Sequence, residues 1–263
     1  MRSTLRLLGY QLSDVARSRW LAGYTLFFLV VTDALLRFGG GGTRALLGLM
    51  NVVLLVVPLV SAVFGTTYLY DTREYTELLL AQPVSRRRLF AAFYGGLALP
   101  LSLALVVGVG APFLLHGLAE PSQLAALATL LACGAALTWA FVAIAFLIAL
   151  RSQDKVKGLG AAVIVWLVMS LVYDGMILIV TATFGDYAIE RPLLGLLMAN
   201  PIDLARVLLL LQFDVSALMG YTGAVFSRFF GGAPGVALAA TALLLWIAIP
   251  AALGLRAFRT RDF

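Results

Sequence analysis

Six apolar runs divide the 263-residue chain, near residues 20–37, 46–70, 91–115, 124–150, 158–184 and 235–255. Crossing about 30 Å of hydrocarbon takes ~20 helical residues, and each run is near or above that length. Nothing in a bilayer core can hydrogen-bond a bare peptide group, so each run must satisfy its own backbone as a helix. A closed barrel would need short alternating strands, whereas these runs are continuously apolar. The expected fold is therefore all-α, with six transmembrane helices in a single transmembrane domain over 1–263. Composition agrees: 62% of the chain is hydrophobic and 12% charged, against roughly half and a quarter in soluble domains.

The charges between the runs set an expected orientation. The leader carries Arg2, Arg6, Arg17 and Arg19, and the stretch 71–90 carries Arg73, Arg86, Arg87 and Arg88. Arg151, Lys155 and Lys157 follow the fourth run, and Arg256, Arg259 and Arg261 follow the sixth. These are fourteen of the nineteen basic residues, all on one side of a six-span plan. By the positive-inside rule that side, with both termini, is cytoplasmic, and the expected location is a cell's inner membrane. Distributed in this way, the net charge of +6 is a topology signal and not a nucleic-acid footprint. The first run leads into Asp33 and Arg37 instead of a small-residue cleavage site, so it reads as a retained span.

Familiar chemistry is absent. The Gly39–Gly42 run lacks the lysine and hydroxyl that a phosphate loop needs at fixed places, so it reads as a turn. Cys133, the single cysteine, excludes an intrachain disulfide and a cysteine cluster for metal. With Gly134 it reads as a small position that lets helices approach. His116 is the lone histidine and reads as an interface residue. No catalytic, metal or cofactor site is expected in the chain itself. Asp174 is an ionisable group within the fifth span and should face the bundle interior or water. Asp186 lies too far along the same segment to form a proton-sharing pair with it. No basic residue is expected mid-membrane beside Asp174. Asn51, Thr138 and Tyr173 are the candidate hydrogen-bond partners, and Asn51 and Asp174 are the polar candidates for a pathway.

Three amphipathic pieces lie outside the spans. In the leader, Leu5, Leu8, Leu12 and Val15 recur at helical spacing with Trp20, among Arg2, Arg6, Asp14, Arg17 and Arg19. That pattern predicts an interface helix over 1–19. Between spans two and three, Asp71 or Thr72 caps a short helix, with Glu74 completing a capping box, and Pro83 ends it. Leu78, Leu79 and Leu80 give this helix an apolar face, while Arg73, Glu74 and Glu77 stay wet. Arg86, Arg87 and Arg88 then anchor the third span at anionic headgroups. Between spans five and six, Asn200 caps a helix with Pro201 at its first position and Asp203 in its first turn. The run Leu204–Leu211 is too short to span, which predicts an external re-entrant hairpin over 201–230.

Together these features resemble the permease subunits of type-2 ATP-binding-cassette exporters. Gln11-Leu12-Ser13-Asp14-Val15-Ala16-Arg17-Ser18-Arg19-Trp20 is similar to their N-terminal interface helix, with Gln at a position that is often acidic. Tyr70-Asp71 through Pro83-Val84-Ser85-Arg86 resembles the coupling helix on which the ATPase docks, with Arg73-Glu74-Tyr75-Thr76-Glu77-Leu78-Leu79 in place of the usual E-x-x-x-G-T-L. Asn200-Pro201-Ile202-Asp203-Leu204-Ala205-Arg206 with Tyr173-Asp174 is most similar to the subgroup serving nitrous-oxide-reductase maturation. The resemblance implies a cytoplasmic ATPase subunit carrying ATP and Mg, and a second permease, identical or paralogous. It also implies a periplasmic accessory protein as a further candidate partner. Transport, in the export direction, would follow movement of the coupling helices, with spans 1, 2 and 5 shaping the pathway. A proton-coupled carrier using Asp174 and a membrane scaffold for enzyme maturation are the alternatives.

Overall fold

A computed structural model describes residues 18–40, 42–80, 85–116, 121–184, 190–212 and 233–260. Among these the regular structure is helical throughout, and six helices are long and apolar enough to cross a membrane. The expected leader helix over 1–19, with Asp14 and Arg17, lies almost wholly outside the described residues, as does Pro83.

Helix α1 (Arg19–Phe38) starts at Ser18, whose hydroxyl accepts the Leu21 amide at 3.4 Å. Helix α2 (Gly42–Asp71) is followed directly by the short α3 (Arg73–Leu80), then α4 (Arg86–His116) and α5 (Pro121–Arg151). The fifth span is composite: α6 (Lys155–Leu167), a π-helical segment Val168–Val172, and α7 (Tyr173–Phe184). Two short helices follow, α8 (Glu190–Met198) and α9 (Pro201–Gln212), and α10 (Ala233–Thr260) is the last span. The apolar parts of α8 and α9 meet at 107°. Glu190–Met198 is the first arm of this bent pair, ahead of the 201–230 hairpin expected from the sequence, of which 213–230 lie outside the described residues.

Helix α5 is central and packs against α2, α4, α6, α9 and α10, while α1 lies against α4. Lipid tails are as apolar as leucine, so close van der Waals fit drives this assembly. Small residues make that fit possible. A Cβ on Gly65 would stand 2.7 Å from Ala145 Cβ and 3.4 Å from Val142 Cα, so α2 and α5 meet there nearly backbone to backbone. Cys133 is buried, and a Cβ on the neighbouring Gly134 would meet the Leu105 side chain at 2.5 Å. Toward the α3 end the same bundle closes with rings. Phe146 of α5 lies 6.0–6.4 Å from Phe90, Tyr94 and Tyr68, and Phe90 packs at 5.8 Å on Phe258 of α10.

Candidate functional site

The short helix α3 is a surface element with one anchored side. Thr76 and Leu79 are buried, Leu79 among the apolar core, and the Thr76 hydroxyl donates to Thr72 O at 2.7 Å. Leu78 is 69% exposed and Tyr75 39%, and Glu74 and Glu77 are exposed beside them. Leu79 thus turns inward, and among the described side chains the apolar face open to a partner includes Leu78 and Tyr75. The expected capping box is not formed. Asp71 is the last residue of α2 and its carboxylate meets Lys155 Nζ at 2.6 Å. Thr72 donates its hydroxyl back to Tyr68 O, and Arg73 lies 4.0 Å from Glu77 one turn on. Arg86 is not left to headgroups either. Its guanidinium donates to Arg259 O at 3.0 Å and Phe258 O at 3.4 Å, tying the start of α4 to the end of α10. Arg87 and Arg88 are exposed.

Arg19 and Trp20 open α1 and are exposed, and the Trp20 ring lies 6.4 Å from Phe64. Asn51 is exposed on α2 and donates to Leu47 O, so it joins no polar cluster. Thr138 donates to Gly134 O within its own helix. Neither reaches Asp174.

Asp174 instead has a cationic partner that the linear sequence hid. Arg206 of α9 reaches it at 2.7 Å, and the same guanidinium nitrogen meets Asp203 at 3.0 Å. The reading that no basic residue could pair with Asp174 is corrected by the bend between α8 and α9, which carries Arg206 in from a non-spanning segment. Asn200 organises the cluster. Its Oδ1 accepts the Ile202 amide at 3.1 Å, capping α9. Its Nδ2 donates to Asp203 at 2.9 Å and to Met169 O, in the π-helical segment, at 2.7 Å. Asn200 and Asp203 are buried, whereas Asp174 and Arg206 are partly exposed.

The last carbonyls of α8 are satisfied from two other helices. Tyr173 donates to Leu196 O at 2.6 Å and Trp246 Nε1 to Met198 O at 3.1 Å. One guanidinium serving two carboxylates is an economical way to hold polar groups at membrane depth, since an unpaired one would be costly. The cluster fixes the bent pair onto the fifth span. Beside it, a cavity of 540 Å³ opens between α5, α9 and α10, with Ala128, Ala132, Cys133, Leu208, Val236 and Leu243 among its lining. Its Thr129 hydroxyl is already donated to Ala125 O, so the lining offers hydrocarbon and no charge.

At the same end of the bundle, His116 is not isolated. Its Nε2 stands 3.5 Å from Asp33 of α1, which also pairs with Arg37 at 2.8 Å, and its Nδ1 stands 3.0 Å from Pro112 O. Among the described residues no group of histidine, cysteine or acidic side chains could hold a metal ion.

Six apolar helices around a packed centre, with a bent, capped helix pair between the last two spans, define a polytopic helical membrane protein. The family model described as "ABC-2 family transporter protein" matches residues 44–263, and the chain belongs to that family. It is also similar to two curated relatives named "Probable ABC transporter permease protein NosY". The one from Pseudomonas aeruginosa is 26% identical over 226 residues, covering 80% of this chain and 82% of the relative. The one from Stutzerimonas stutzeri is 25% identical over 268 aligned positions, covering 95% and 96%. The chain is thus a NosY-like transmembrane permease subunit of an ABC transporter.

Proposed function

We propose that this permease moves its substrate outward across the inner membrane, powered by a separate cytoplasmic ATPase that docks on α3. Both termini and α3 face the cytoplasm in this reading, and ATP and Mg are bound by the partner. A second permease, identical or paralogous, completes the transmembrane unit. A periplasmic accessory protein is a further partner on the side of α8 and α9.

The observation that carries this is the build of α3. It is short, rigidly joined to the end of α2, anchored by Thr76 and Leu79, and open along Tyr75, Leu78, Glu74 and Glu77. An element held on one side and apolar on the other is suited to receive a partner and pass its movement into the spans on either side. Leu78→Asp and Tyr75→Asp point away from the core, so they should abolish co-purification of the ATPase while the permease still inserts and unfolds normally. Undiminished co-purification of both variants would sink the docking assignment. Leu79→Asp is the contrasting control, because it acts on the fold as well.

The carrier reading rested on an unpaired Asp174, and the ion pair with Arg206 removes that motive. A scaffold role draws its support only from the subgroup that the chain resembles.

A further inference from the structure

The fifth span is the least enclosed of the six, with 6% of its most apolar window buried, yet it is fastened at two distant places. Near its start, the Tyr70 hydroxyl donates to Ser152 O at 3.0 Å and Asp154 O at 3.1 Å, and Lys155 pairs with Asp71. Gly158 permits this contact. A Cβ there would stand 2.2 Å from the Tyr70 oxygen, so the tyrosine lies directly against the helix backbone. Eleven and sixteen residues beyond Gly158, about 16 and 24 Å on at 1.5 Å per residue, Asn200 holds the Met169 carbonyl and Arg206 holds Asp174.

The π segment Val168–Val172 lies between the first fastening and Asp174, and the second fastening reaches into it at Met169. Single π turns inside α-helices are frequent at functional sites and are among the causes of helix kinks. Trp166 Nε1 donates to Leu55 O at 3.0 Å just before this segment, and Asn200 grips a carbonyl within it. Below the π segment the span is tied to α2, and from it onward to the bent pair. Before the π segment the span packs one side on α2, around Ala162 and Trp166, while its other side faces outward.

We infer that the fifth span is the strut that couples the α3 end to the α8–α9 pair, with Tyr70, Gly158 and Lys155 as positioning residues at one end and Asn200 and Arg206 at the other. A displacement of α3 pulls on Asp71 and Tyr70 and so on α6. The π segment passes the displacement on, and the Asn200 and Asp174–Arg206 contacts deliver it to α9. This assignment rests on α3 being the driven element, but the mechanical link is a property of this chain alone and can be tested without any ATPase.

The test is hydrogen exchange followed by mass spectrometry on the full-length permease in lipid nanodiscs. Lys155→Asp breaks one fastening by setting two carboxylates face to face at an exposed site. It should raise amide exchange at 196–206 by about twofold or more, the size that couplings between distant sites take, while exchange at 139–149 in α5 stays unchanged. The swap Asp71→Lys with Lys155→Asp should restore the original rates. Conversely, Arg206→Gln should speed exchange at 155–162. Changes confined to the neighbourhood of each substitution, or a swap that fails to restore 196–206, would overturn the strut. If exchange in α5 rises as well, the milder Tyr70→Phe decides by the same comparison. Loss of ATPase docking with the strut intact, or the reverse, separates the two proposals.

Discussion

The fourth and fifth spans, Gln123–Arg151 and Lys155–Phe184, are 29 and 30 residues long and similarly apolar, yet 56% of one window lies inside the protein and 6% of the other. The difference lies in how each is held. The fourth span presents Cys133, Gly134, Ala140, Ala143 and Ala145, whose small side chains admit α2 and α4 to short range, and its phenylalanines fill what remains. The fifth presents Ile164, Val168, Leu171, Val172, Leu178 and Ile179 outward and is retained by directional bonds at a few points. One span is held mainly by shape, while the other adds specific polar contacts to a thinner packing around Ala162 and Trp166. Close packing resists displacement everywhere, whereas a few bonds permit movement between discrete settings.

That contrast can be broken by substitution, and the largest effect should fall on the packed span. Phe146→Ala removes a fully buried ring that touches three others and should cost about 3 kcal/mol, read as unfolding in mixed micelles of increasing SDS. A loss below ~1 kcal/mol would show that shape does not hold the centre.

Next comes the polar clasp. Arg206→Gln leaves Asp174 and the buried Asp203 without their cation and should destabilise by about 2–3 kcal/mol, less than for a fully buried pair because the guanidinium is partly exposed. Asp174→Asn should lose no more than about 1 kcal/mol, since Asp203 still engages Arg206. Equal effects would mean that the two carboxylates do not share the arginine in the way their geometry requires.

At the other fastening, Tyr70→Phe deletes the donor for two carbonyls and should cost about 1 kcal/mol. An unchanged midpoint would show that Ser152 and Asp154 find other donors and that only the Asp71–Lys155 pair ties α6 to α2. The smallest effect belongs to the outward face of the fifth span. Leu178→Ala should change stability by less than about 0.5 kcal/mol in the monomeric permease. A larger loss that appears only when a second permease is present would convert this face from lipid-exposed to an intersubunit surface.

Much of this was legible in the linear chain. The six runs and their all-helical state follow from length and hydropathy alone, since hydrocarbon leaves the backbone no other way to bond. The start of α9 was legible too. Asn200-Pro201 is a local signal in which the cap, the fixed proline φ and the first-turn acid act within one turn of each other. The missed features share one property: they depend on residues far apart in sequence. Arg206 stood in a non-spanning segment, and nothing local announced that a 107° bend would carry it to Asp174. Glu190–Met198 went unseen as a helix because its end is satisfied from outside, by Tyr173 and Trp246. At α3 the local capping pattern was present but lost to a tertiary competitor, because Lys155, eighty-four residues away, offers Asp71 a charge-assisted bond. Leu78 and Leu79 are neighbours in an apolar triplet, and only the packing of α3 against the bundle decides which of them remains open.

By itself the sequence determined that this chain forms six helices long and apolar enough to cross a membrane, where those helices run, and that it carries no nucleotide motif of its own. These follow from the solvent, which acts on every residue in proportion to its own polarity. The tertiary structure alone decided which span is enclosed and which is fastened at its ends, and which carboxylates share Arg206. It also placed a π turn before Asp174, with Asn200 bonded to a carbonyl inside it. Those outcomes depend on distances between residues remote in sequence, and hydropathy, a sum over neighbours, contains no such distances.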